Sequence, residues 1–192
     1  MLPPAAQSRQ RAIETAQRII AGNPVYIDTE TTGIDRTDEI VEISIIGADG
    51  GLVFNSLVRP TQPIKPAASA IHGMTTEMLA NSPSWLILYP QIRSHLFGKV
   101  VAGYNVDFDV RMMVQSHARY KLPWKDNLNT LDVMRIFAEY RAEWDSYRRS
   151  YRIFKLEEAG QFLKIPMPNA HRSTADALLT RAVLHAIAGQ PY

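Results

Sequence analysis

Asp28 and Glu30 stand two residues apart in Val25-Tyr26-Ile27-Asp28-Thr29-Glu30, at the end of a short apolar, β-favouring run. Side chains alternate along a strand, so the two carboxylates share one face and Thr29 takes the other. Carboxylates placed so closely at the end of a buried strand repel each other and lose hydration unless a cation lies between them. Hard oxygen ligands in a chain without cysteine favour Mg2+ or Mn2+ over zinc. An isolated Asp-x-Glu would be read as a solvated strand end, but two more acids stand at core-facing positions. Asp109 shares a helix face with Met112 and Met113, whereas Asp107 points nearly opposite. Asp176 lies three residues before Leu179 on a stripe continued by Val183 and Ala186. A first-turn acid there has a milder explanation in the helix dipole. His171 lies five residues before Asp176, in a loop that starts with Pro166 and Pro168.

The elements that must position these groups are legible from periodicity and punctuation. Residues 8–21 read as an amphipathic leading helix stopped by Gly22-Asn23-Pro24. The acidic strand follows, then a turn at Gly33 and a polar loop through Asp38. Residues 40–47 and 52–58 form a hairpin across Ala48-Asp49-Gly50-Gly51. Three prolines mark a loop over residues 59–66, and Thr75 is expected to cap a short helix after Ile71-His72-Gly73-Met74. A longer helix should follow Pro83. A brief strand at Val100 to Ala102 leads to Asn105, the expected N-cap of a helix over 106–118. Residues 128–138 read as a strand and then a helix opening at Asp132. Further helices are expected over 155–164 and 173–188. Strands alternating with helices in this way predict an α/β protein with a mixed sheet.

At 192 residues with 46% hydrophobic content, the chain can bury one core, and no linker divides it. The net charge of +2 and pI near 8.9 impose no global field that demands nucleic acid. The absence of cysteine excludes disulfide frameworks and thiolate metal sites. No apolar run approaches the roughly 20 residues that span a bilayer, and the N-terminus lacks a signal-peptide core. A cytoplasmic protein with no membrane partner is the expectation.

The acids and His171, taken in order, resemble the DEDDh family of 3'-5' exonucleases, which includes the epsilon proofreading subunit of bacterial DNA polymerase III. The resemblance rests on Asp28-Thr29-Glu30-Thr31-Thr32-Gly33-Ile34, on Asn105-Val106-Asp107-Phe108-Asp109 and on His171-Arg172-Ser173-Thr174-Ala175-Asp176-Ala177. Ile71-His72-Gly73-Met74-Thr75 and Thr130-Leu131-Asp132 stand between them in the matching order, so it spans about residues 25 to 188. It implies a ribonuclease H-like mixed sheet flanked by helices, with residues 1–24 as a helix packed on an exonuclease domain over 25–192. It further implies phosphodiester hydrolysis at a free 3' end by two divalent cations, Mg2+ or Mn2+. By similarity Asp28 bridges both ions, Glu30 and Asp176 complete the site for the attacking water, Asp109 serves the second ion, and His171 is the general base. Thr31, Ile34, His72, Asn105 and Phe108 are the implied contacts to the terminal nucleotide. Tyr104 departs from the pattern, since many relatives carry His before the Asn, which bears on pocket shape rather than on a metal ligand.

DNA, most of all single-stranded DNA, is the expected substrate, with RNA as the alternative. A nuclease fold that only binds nucleic acid or a protein is the contrasting class, and the full set of acids argues against it. A polymerase is the candidate protein partner. The chain ends at Tyr192, soon after the last helix, which favours a free-standing enzyme or an isolated domain over a subunit with a docking tail. His95, His117 and His185 read as helix-surface or packing residues. Residues 140–152 interleave Tyr140, Trp144, Tyr147 and Tyr151 with Arg141, Arg148 and Arg152. If helical, these residues form either a single-strand contact surface or an aromatic seam packed on the domain.

Overall fold

The computed structural model describes residues 5–166 and 172–192. Its centre is a five-stranded sheet in the order β3-β2-β1-β4-β5, built from β1 (Val25–Thr31), β2 (Ile40–Ile46), β3 (Leu52–Leu57), β4 (Val100–Gly103) and β5 (Asn129–Asp132). β1, β2 and β3 pair antiparallel, whereas β1 with β4 and β4 with β5 pair parallel. The expected mixed sheet is therefore present, and both of its faces are covered.

Alternation along β1 sorts the two layers. Tyr26 packs with Ala12 and Ala16 of α1 (Ala5–Ala21), Phe137 of α5 (Val133–Arg141), and Val183 and Leu184 of α7 (Ser173–Ala188). Val25 and Ile27 face the other way, onto Trp85 and Ile92 of α3 (Trp85–Leu96) and Met112 and Met113 of α4 (Val106–Arg119). Side chains at even positions of β1 therefore point toward α7, and odd ones toward α4. The helix of residues 5–21 packs against α5 and α7.

Four local expectations change. The segment at residues 71–75 ends a helix instead of opening one. Pro66 starts α2 (Pro66–His72), and Gly73 closes it in the left-handed region at φ 74°, because proline suits the first helical position and glycine the position after the last. The Thr75 hydroxyl then accepts the Met78 N–H at 3.4 Å within a turn, and caps no helix. Asn105 does stand before α4, yet at φ 68° its side chain makes no cap hydrogen bond. Its backbone N–H donates instead to Asp132 Oδ1 at 2.9 Å. The run 140–152 is not one helix. α5 stops at Ala142, in the left-handed region at φ 54°, and β6 (Trp144–Asp145) pairs antiparallel with β7 (Ser150–Tyr151).

The polar loop after Gly33 is also more buried than its composition suggests. Asp38 is fully buried, accepting from the Thr32 hydroxyl at 3.0 Å and from Lys65 Nζ at 2.6 Å. Gly33 is required beside it, since a Cβ there would lie 2.6 Å from Asp38 Oδ2. α6 (Leu156–Phe162) precedes the last described stretch before α7.

Candidate active site

The acids converge at the C-terminal end of β1 from both layers of the fold. Asp28 and Glu30, at even positions, turn toward α7, where Asp176 lies in the first turn. One carboxylate oxygen each of Asp28, Glu30 and Asp176 lies within 4.8 Å of the others. Thr29 points to the opposite layer, and its hydroxyl donates to Asp109 Oδ1 at 2.7 Å. Asp109 on α4 is only 3% exposed, while the Asp107 side chain is 71% exposed. Facing inward and outward respectively, these two follow the helical spacing.

Electrostatics at the site are those of closely grouped, buried carboxylates. Burial pushes the Asp28 carboxyl well above the usual range, and Asp109, Asp176, Glu30 and Glu42 add to the shift. Burial, then Asp176 and Glu42, raise Glu30 to about 8, with Arg172 opposing. Burial raises Asp109 to about 7, against the hydrogen bond from Thr29. These oxygen donors fit hard divalent cations, which would offset the repulsion between the carboxylates when bound.

A stability prediction follows. A carboxyl whose pKa is raised on folding favours the folded state while it stays protonated. That stability is complete below the unfolded pKa near 4 and is lost as pH climbs through about 7 to 8. Without divalent metal, the melting temperature should fall between pH 5 and pH 8 by about 5 to 10 °C, equivalent to a few kcal/mol after allowance for partial solvation. Saturating Mg2+ or Mn2+ should restore more stability at pH 8 than at pH 5, because cation and proton compete for the same oxygens. Scanning calorimetry with and without EDTA reads this directly, and a metal increment independent of pH would contradict it.

Glu42 was not among the residues singled out from the sequence. It pairs across the sheet with Glu30 and is only 1% exposed. Its carboxylate accepts from Arg172 Nη2 at 2.5 Å and from the Ser173 N–H at 3.1 Å. Burial works against its ionisation, yet Arg172 and Ser173 hold its carboxyl below the usual range. Glu42 thus supplies, from β2, a second anion at the N-terminus of α7, beside Asp176 in the helix's own first turn. A lone acid inside Ile40-Val41-Glu42-Ile43-Ser44-Ile45-Ile46 was the available signal. Glu42→Ala should destabilise the protein by about 1.5 to 3 kcal/mol, the range for a hydrogen bond to a charged group. Chemical denaturation would check this, and a smaller loss would mean that α7 docks without it.

Among the expected nucleotide contacts, Thr31, Ile34, His72 and Phe108 line one cavity of about 330 Å³ together with Glu30. Ile34 is 74% exposed at its rim. His72 Nδ1 accepts the Met74 N–H at 3.1 Å, so its Nε2 carries the proton and donates to the Thr31 carbonyl at 3.2 Å. Burial lowers the His72 pKa and keeps the ring neutral. Asn105 does not line that cavity. Tyr104 lines a different one, of about 520 Å³, shared with Asp28 and Asp176, and its hydroxyl donates to the Phe154 carbonyl at 3.0 Å. His171 lies outside the described residues. His117 and His185 are buried packing residues, and His117 Nδ1 accepts from Trp85 Nε1 at 2.8 Å.

The family model described as "Exonuclease" matches residues 25–184. An Escherichia phage 186 protein described as an uncharacterized exonuclease, CP81, is 34% identical over 91% of this chain and 93% of its own length. The PolC-type DNA polymerase III of Thermotoga maritima is 29% identical over 83% of the chain, which spans only 11% of that polymerase. Among solved structures, Exonuclease X in complex with 5' overhanging duplex DNA superposes with a TM-score of 0.64 at 28% identity, over 86% of this chain and 90% of that one.

Proposed function

Because the chain belongs to the exonuclease family, with its ribonuclease H-like sheet intact, we propose that it is a 3'-5' exonuclease that releases nucleoside 5'-monophosphates from DNA ends, single-stranded ends above all. The observation that carries the reading is the convergence of the Asp28, Glu30 and Asp176 oxygens within 4.8 Å beside buried Asp109. Asp28, Glu30 and Asp176 would hold one divalent cation, and Asp28 with Asp109 a second. Bound there, two such ions neutralise the phosphodiester and stabilise the attacking and leaving oxygens.

The chain's own groups supply the rest. The cavity of Thr31, Ile34, His72 and Phe108 receives the terminal nucleoside, with Ile34 wedged against the bases. His72, held neutral, adds no charge that would compete with the cations. His171, five residues before Asp176, takes the proton from the water that attacks phosphorus as the bond to the 3' oxygen breaks. The PolC-type similarity supports a polymerase as a protein partner. Among the described residues no helix is long and apolar enough to cross a membrane, in keeping with action on cytoplasmic nucleic acid.

Incubation with 3'-labelled and 5'-labelled DNA and RNA oligonucleotides, in Mg2+, Mn2+ or EDTA, tests this. Stepwise metal-dependent loss from the 3' end, faster on DNA than on RNA, is expected. Retained binding without cleavage would overturn the enzyme reading, and faster RNA cleavage would overturn the substrate.

A further inference from the structure

The hairpin β6–β7 separates the aromatic and basic residues of 140–152 into two groups. Trp144 and Tyr151 pair across it edge to face, with ring centroids 5.6 Å apart. Tyr151 is hydrogen-bonded through its hydroxyl to buried Ser8 on α1, and the Arg152 N–H donates to the Glu143 carbonyl at 2.8 Å. Arg141 lies over the Phe154 and Phe162 rings. These residues anchor the hairpin. Its tip is ordered as well, since Asp145 Oδ1 accepts the N–H groups of Tyr147 and Arg148 at 2.9 and 3.0 Å. This fixed tip nevertheless holds Tyr147 97% exposed, with Arg148 and Arg149 exposed beside it. A turn built so firmly around an aromatic ring left in water gives that ring no packing role inside the fold.

Charge and position say what covers it. Residues 144–152 hold three arginines and one acid, a net +2 that equals the charge of the whole chain. The strand leaving the hairpin runs directly into Ile153, Phe154 and Lys155, which line the cavity shared with Asp28 and Asp176. Tyr147 is six residues from Ile153, at most about 20 Å of extended backbone and less in a hairpin. We propose that the hairpin tip binds the single-stranded part of the substrate a few nucleotides from the scissile phosphate, with a base stacked on Tyr147 and phosphates paired with Arg148 and Arg149. Unstacked bases offer the π-face that such a ring accepts without regard to sequence, and arginines follow the backbone. The proposal rests on the exonuclease reading above and extends it to a second contact on the same strand.

The test uses the full chain with labelled dT20 and dT4, measuring binding by anisotropy in EDTA and hydrolysis in Mg2+. The p-nitrophenyl ester of thymidine 5'-phosphate, too short to reach the hairpin, reports on the acidic site alone. Tyr147→Ala should raise Kd and KM for dT20 about tenfold, with little change for dT4 and kcat on the ester retained. Tyr147→Phe should restore binding. Arg148→Ala with Arg149→Ala should reduce the slope of log Kd against log salt by about 1.4. A dT20 Kd within twofold of wild type in Tyr147→Ala would overturn the proposal, as would an equal loss on dT4 and the ester. If wild type cleaves nothing, the exonuclease reading fails alone. The binding measurements in EDTA still decide the hairpin's role.

Discussion

Asp28→Asn is expected to lower exonuclease activity about 10^4-fold while raising the melting temperature of the metal-free protein. Burial, and then Asp109, Asp176, Glu30 and Glu42, drive the Asp28 carboxyl well above its usual range, and it is the acid assigned to both cations. Each ion contributes several kcal/mol of charge stabilisation to the reaction, and every 1.36 kcal/mol is a factor of ten in rate. Loss of the shared ligand therefore removes far more than one hydrogen bond. Asparagine keeps the shape and discards a charge that is repelled from four sides, so the apoprotein gains what the enzyme loses. Single-turnover cleavage of a labelled oligonucleotide and calorimetry in EDTA measure the two halves. Activity within tenfold of wild type would sink the metal assignment, and a lower melting temperature would show that Asp28 is needed for folding.

His171→Ala is expected to reduce kcat by about 10^2 to 10^4, the usual range for loss of a general base. Its signature should differ from that of Asp28→Asn. The stabilisation by Mg2+ or Mn2+ should persist, because the four acids remain, whereas the rising acid limb of the kcat profile should flatten. Activity should then climb with pH as hydroxide takes over the role. Loss of metal-induced stabilisation in His171→Ala would instead assign this residue to the metal site. An unchanged pH profile would remove it from proton transfer.

The sequence by itself determined the parts of this site that follow from local periodicity. The alternation of a strand places Asp28 and Glu30 together and Thr29 opposite, and the structure places Thr29 against Asp109 and the two acids beside Asp176. The 3.6-residue period separates buried Asp109 from exposed Asp107. Where chain stiffness is set by proline and glycine, helix starts and stops are also readable, though residues 71–75 show that the same glycine marks an end as readily as a beginning.

What only the tertiary structure decided depends on partners distant in sequence. Glu42 reads as an ordinary strand residue until Arg172 and Ser173, 130 residues away, make it the anchor of α7. Asp38 looks like a loop acid until Lys65 and Thr32 enclose it. Asn105 has the right side chain for a cap, but Asp132 takes its backbone N–H, and the left-handed turn carries the side chain away from the helix end. The aromatic and basic run of 140–152 has helical spacing. Cross-strand pairing of Trp144 with Tyr151 and the bond from Tyr151 to Ser8 instead fold it into a hairpin. Local spacing fixes which way a side chain points within its own element. Which charge neutralises it, and from which layer, is settled only when elements far apart in the chain close over one another and exclude water.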